Sequence, residues 1–151
     1  MPNIYFFYGN DEFAISRKLK EYESDFSDAT SADMNTARLD ARAMSENDFN
    51  NAVNAMRFLA TRRLVLLANP STKYNNLEAR KKFFEFLEKM QSTTRLVMYE
   101  SVDPRDAEKH WLVKWAAKNE KLIQVRAFLL PRLKDMTGWI VNETKNQNGK
   151  I

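Results

Sequence analysis

Ile4-Tyr5-Phe6-Phe7-Tyr8 is an unbroken run of aliphatic and aromatic residues, closed by Gly9-Asn10 and followed by Asp11. Five apolar side chains in succession, without alternation, suit a strand buried on both faces, as strands of parallel sheets are. Gly9-Asn10 is a turn signal, and Asp11 is placed to cap a helix. Ile15, Leu19, Tyr22 and Phe26 then recur at spacings of four, three and four, which puts them on one helical face. The chain therefore opens as strand, turn and helix, the unit from which α/β domains are built.

The same unit recurs downstream. Residues 27–34 are small and polar and read as a loop, and residues 35–40 as a weaker strand. Ser45, with Asp48 three residues later, approximates a capping box for a helix whose stripe is Phe49, Ala52, Val53 and Met56. Residues 64–68, Leu-Val-Leu-Leu-Ala, are the clearest buried strand, ended by Asn69-Pro70-Ser71. A polar loop leads to a helix with Leu77, Phe83, Phe84 and Leu87 inward; Arg80, Lys81, Lys82, Glu85 and Glu88 form its other face. Residues 94–100 are the next strand. Asp103-Pro104 starts a helix with Leu112, Trp115 and Ala116 on one side. Residues 121–125 are a fifth strand, and Leu130-Pro131 opens a last helix carrying Leu133, Met136 and Ile140.

Five alternations predict an α/β fold: a doubly wound, parallel five-stranded sheet with helices on both faces. The last helix has no strand after it. Residues 1–128 therefore read as the α/β domain, and residues 129–151 as the truncated start of a second, helical one.

Composition narrows the chemistry. The 151 residues include no cysteine, one histidine (His110) and three glycines, Gly9, Gly138 and Gly149. No disulfide scaffold, Cys-type zinc site or thiol nucleophile is available. A single histidine removes most metal-ligand sets and His-based catalysis, so no metal is expected. The net charge of +4 is uneven, −1 over residues 1–75 and +5 over residues 76–151. A basic half attracts phosphate backbones, yet its Lys and Arg interleave with Glu and Asp as on solvated helices. Neither a signal peptide nor an apolar stretch of ~20 residues appears, so a soluble, cytoplasmic protein is expected.

An α/β domain of this kind often holds a nucleotide at its first strand-to-helix turn. A phosphate loop needs glycines that let backbone N–H groups converge, then Lys and Ser or Thr at the helix start. Residues 9–16 are Gly-Asn-Asp-Glu-Phe-Ala-Ile-Ser, with one glycine, no lysine and two carboxylates where phosphates would sit. Asp11 and Glu12 are better read as caps and dipole partners. The strand 64–68 ends in Asn69, a neutral amide, where a metal-binding acid is usual. No nucleotide or other cofactor is expected. No serine lies in a nucleophile-elbow context. His110 reads as a structural residue on an exposed helical turn, with Asp106 four residues before it as its possible partner. Trp111, Trp115 and Trp139 are more simply packing or interface residues than base-stacking platforms.

Residues 55–63, Ala-Met-Arg-Phe-Leu-Ala-Thr-Arg-Arg, join the second helix to the strand at 64–68. If Met56 is the last inward residue, Phe58 and Leu59 sit on the turn that follows. Burying such a side chain is worth roughly 1.5–3 kcal/mol, so the pair either folds back or anchors a partner. Arg57, Arg62 and Arg63 would ring such an anchor with charge.

These residues carry a resemblance. The opening strand with Gly9-Asn10-Asp11-Glu12-Phe13, and the run 55–67 from Ala55-Met56-Arg57-Phe58-Leu59 into Leu64-Val65-Leu66-Leu67, resemble the N-terminal domain of the delta subunit of bacterial DNA polymerase III. That family is a clamp-loader subunit. The resemblance spans the chain to about residue 125 and implies an AAA+ α/β domain with strand order 5-1-4-3-2. It implies no intrinsic catalysis and no cofactor, within a DNA-directed DNA polymerase holoenzyme. The implied partners are the sliding clamp (beta subunit), the gamma/tau and delta-prime loader subunits, and primed DNA through the assembled loader. The family's clamp-binding pair falls on Phe58 and Leu59, with Met56 behind it and Arg57 at its rim. The alternatives are a nucleotide-dependent enzyme with an atypical phosphate site, or a basic nucleic-acid binding module.

Overall fold

One all-parallel sheet organises the computed structural model, which describes residues 3–25, 36–54, 63–90 and 93–131. Its strands are β1 (Ile4–Gly9), β2 (Thr36–Asp40), β3 (Arg63–Ala68), β4 (Thr94–Ser101) and β5 (Ile123–Ala127). The helices are α1 (Glu12–Asp25), α2 (Glu46–Asn54), α3 (Pro70–Lys73), α4 (Leu77–Glu88) and α5 (Trp111–Ala117), with a 3-10 segment at Pro104–Lys109. The strand order is β2-β3-β4-β1-β5, which is the implied 5-1-4-3-2 read from the other edge.

The apolar run of β1 holds the centre, where both of its faces and both of its edges are covered. Phe6 stands opposite Met98 of β4 and Val125 of β5. Every residue of β1 and β3 is buried. Pleating splits their side chains into two cores. On one face Tyr5, Phe7, Leu64, Leu66 and Val97 meet Ile15 and Leu19 of α1. On the other, Ile4, Phe6, Val65, Leu67, Leu96 and Met98 meet residues of α2, α4 and α5, among them Phe49, Leu87 and Leu112. The step from β1 to β2 crosses the sheet one way and the later steps cross it the other way. Placing α1 alone on its face keeps every crossover right-handed.

Local chemistry sets the helix starts. Asp11 Oδ1 accepts the Ala14 N–H at 3.1 Å. The capping box is reciprocal: the Asp48 N–H donates to Ser45 Oγ (3.0 Å) and the Ser45 N–H to Asp48 Oδ2 (2.9 Å). Asn76 caps α4 through the Ala79 N–H at 2.9 Å.

Several expectations need correction. Asn69-Pro70-Ser71 does not simply end β3, because Pro70 opens the four-residue helix α3. Leu77 is not inward but 84% exposed. It lies six residues before Phe83, well round the helix from the buried pair Phe83 and Leu87. Arg80, expected on the outer face, is half-buried over the Trp111 ring, with its guanidinium 4.9 Å from the centroid. The helix expected from Asp103 is broken at His110 into the 3-10 segment and α5. Strand β5 starts at Ile123, two residues later than expected. Phe26, and the last helix from residue 132 onward, lie outside the described residues.

Candidate functional site

The residues expected to grip a clamp, Met56, Arg57, Phe58 and Leu59, lie outside the described residues, but both flanks are described. Asn54 ends α2 and Arg63 begins β3. Arg63 is 9% exposed, and its Nε donates to the Ala52 carbonyl of α2. Its backbone N–H donates to the Thr93 carbonyl at 3.0 Å. Thr94 Oγ1 donates to the Val53 carbonyl at 3.1 Å. Two side chains from the start of β3 and β4 thus satisfy carbonyls in the last turn of α2, which a helix leaves unpaired. Arg63 is therefore not a rim charge, as expected, but a buried strut, and burial pushes its guanidinium below its usual value. This framework fixes where residues 55–62 leave and rejoin the domain, at the amino edge of the sheet.

The position where a nucleotide would bind lies at the opposite, carboxyl edge, between β1 and β4. Gly9 has φ 138°, and a Cβ there would stand 2.1 Å from the Phe128 carbonyl oxygen. That oxygen accepts the Asp11 N–H at 2.9 Å, and the Phe128 N–H donates to the Tyr8 carbonyl at 2.7 Å. Asn10 Oδ1 accepts the Leu130 N–H at 2.8 Å. The chain after β5 thus folds across the turn and takes the Asp11 amide, which a phosphate would need. Beside it, Asn69 adopts the left-handed conformation (φ 58°, ψ 49°) and donates its side-chain amide to Asp40 Oδ1 at 3.3 Å. Asn69 therefore faces the end of β2 rather than the β1–β4 crevice. The side-chain hydrogen bonds from Arg42, with those of Asn69, hold the Asp40 carboxyl at about 2.

A polar cluster that the sequence did not announce ends β4. Glu100 and His110 have side chains only 8% exposed, and they meet through Oε2 and Nε2. Glu100 Oε1 accepts the Ser71 N–H at 2.9 Å, and Oε2 accepts the Ser71 hydroxyl. Ser71 Oγ lies 3.1 Å from His110 Nε2 and accepts the Trp111 Nε1–H at 2.7 Å. His110 Nδ1 accepts the Leu112 N–H at 3.1 Å, so Nδ1 is bare and the ring proton sits on Nε2, facing Glu100. Burial raises the Glu100 carboxyl, but the His110 and Ser71 hydrogen bonds outweigh it and leave it below its ordinary value.

Serine, histidine and carboxylate stand together here, yet not as a nucleophile and its base. The Ser71 proton goes to the carboxylate, and the nitrogen facing Ser71 already carries a proton. The cluster instead ties the end of β4 to α3 and to the start of α5. Asp106 is not the partner of His110, and the imidazole is not on an exposed turn. The signal that could have found the cluster is Glu100 itself, an acid closing the apolar strand Leu96-Val97-Met98-Tyr99. A buried carboxylate needs donors.

Trp111 and Trp115 pack against Phe84, with the Trp115 ring stacked on it at 4.5 Å and Trp111 tilted at 5.7 Å. Trp139 lies outside the described residues. Among the described residues, no group of three His, Cys, Asp or Glu is placed to hold a metal, and no helix is long and apolar enough to cross a membrane.

Comparisons with known proteins bear on the whole frame. The family model described as DNA polymerase III, delta subunit, matches residues 5–126. Among solved structures, the chain is similar to the DNA clamp loader delta protein of Bacillus subtilis, with a TM-score of 0.67 and 19% identity. That similarity covers 96% of this chain and 43% of the other, and at this identity it carries the fold alone. A search of curated proteins found no match.

Proposed function

The chain belongs to the DNA polymerase III delta-subunit family, and from that premise we propose that it binds the sliding clamp without catalysis and helps open the ring for loading onto primed DNA. The observation that carries this reading is the extent of the family match, which runs through residues 55–62, where Phe58 and Leu59 lie. Phe58 and Leu59 enter an apolar pocket of the clamp, Met56 packs behind them, and Arg57 and Arg62 sit at the rim. Anchors of this kind each contribute on the order of 2 kcal/mol or more. The buried strut of Arg63 and Thr94 supports the reading, because an anchor is effective only when its base is rigid.

Opening the ring requires tighter binding to the open clamp than to the closed one. The gamma/tau and delta-prime subunits complete the loader, and primed DNA is engaged by that assembly. The closed carboxyl edge supports a role in which this chain holds no nucleotide of its own.

The test is co-precipitation of the 151-residue chain with the cognate beta clamp, wild type against Phe58→Ala/Leu59→Ala. The wild type is expected to bind and the double variant to lose binding. Equal binding by the two would remove the site from these residues.

A further inference from the structure

We propose that the groove between α4 and α5 docks an acidic amphipathic helix of a partner protein. The groove encloses about 700 Å³. Its floor is apolar: Phe84, Trp111 and Trp115. Leu77 stands 84% exposed at the mouth. Lysines 81, 109, 114 and 118 line the walls, and no carboxylate does. Among the described residues none of these four lysines has an ion pair, whereas Lys18, Lys73 and Lys82 do. An apolar floor between unpaired cations is complementary to a helix with one apolar stripe and acidic flanks. Helix α4 has 12 residues, roughly 18 Å, enough to receive about three turns.

The ring geometry favours a protein over a nucleic-acid strand. Base stacking needs free aromatic faces. Here Trp115 and Phe84 cover one another with an interplanar angle of 6°, and Trp111 carries Arg80 at 4.9 Å and His110 at 5.7 Å. Exposed Leu77 gives a phosphate strand nothing to bind. The proposal is independent of the clamp reading, since residues 56–59 play no part in it.

The probe is a labelled 18-residue helical peptide with Leu at i, i+3, i+4 and i+7 spacing and Glu on its flanks, followed by fluorescence anisotropy with the full chain. Controls are the same peptide with Lys for Glu, and a 20-nucleotide oligo-dT. The acidic peptide is expected to bind and its Lys counterpart not to. Lys81→Glu/Lys114→Glu/Lys118→Glu should weaken binding at least tenfold, and Leu77→Ser several-fold, both with unchanged melting temperature. Phe58→Ala/Leu59→Ala should leave peptide binding intact. No binding of the acidic peptide, or binding by both groove variants equal to that of the wild type, would overturn the proposal. So would displacement of the peptide by oligo-dT, a dimer of the free chain abolished by the triple variant, or a crosslink from these lysines to Lys145 or Lys150 that blocks the peptide.

Discussion

Gly9 shows how much one missing side chain can decide. It is the glycine of the opening turn, and the sequence marks it as a turn residue and a poor start to a phosphate loop. What the sequence does not show is the backbone lying against it, because Phe128 is 119 positions away. Gly9→Ala must both adopt a conformation that L-residues avoid and move the Phe128 carbonyl off Asp11. Strain of that kind costs about 1–3 kcal/mol, and the urea midpoint should fall accordingly; an unchanged midpoint would mean the 128–130 segment yields freely. Leu77 and Arg80 teach a related lesson. Apolar and charged residues near a helix start are assigned to faces by angle, and the angle is known only once the helix start is fixed.

At the scale of elements, alternation of strand and helix is legible because buried parallel strands and amphipathic helices have different periods. The four residues of α3 and the break at His110 are not, since both are tied together through Glu100, which takes the Ser71 N–H and hydroxyl and meets His110. Glu100→Gln keeps the shape but sets an amide against donors, and should cost about 1–3 kcal/mol. The pH dependence has a definite sign. The folded Glu100 carboxyl lies below its ordinary 4.5, so its contribution is whole above that value and fades as pH falls through the lower folded one. The gap in urea midpoint between wild type and Glu100→Gln should hold through neutral pH and close in acid. A gap that persists in acid would show that packing, not charge, is responsible.

Over the whole molecule, the two candidate sites fall at opposite edges of one sheet. Residues 55–62 join the sheet at its amino edge, and the chain's own backbone crosses the position where a nucleotide would bind at the carboxyl edge. ATP with Mg²⁺ at a hundred times a functional Kd would add ~2.7 kcal/mol, a rise of roughly 5–10 °C in Tm; no rise is expected in differential scanning calorimetry. The proposal for Phe58 and Leu59 comes only through resemblance, because two apolar residues between a helix and a strand do not by themselves say whether they face a core or a partner. The strand order also governs how this chain comes into being. Among the strands of this sheet β1 leaves the ribosome first, yet its partners are β4 and β5, the last two of the sheet to be made. At about 5–20 residues per second, Ile4-Tyr5-Phe6-Phe7-Tyr8 waits on the order of 5–20 s for a neighbour. During synthesis this fully apolar run is an open strand, and a nascent chain stalled before residue 94 would be a substrate for chaperones or for aggregation.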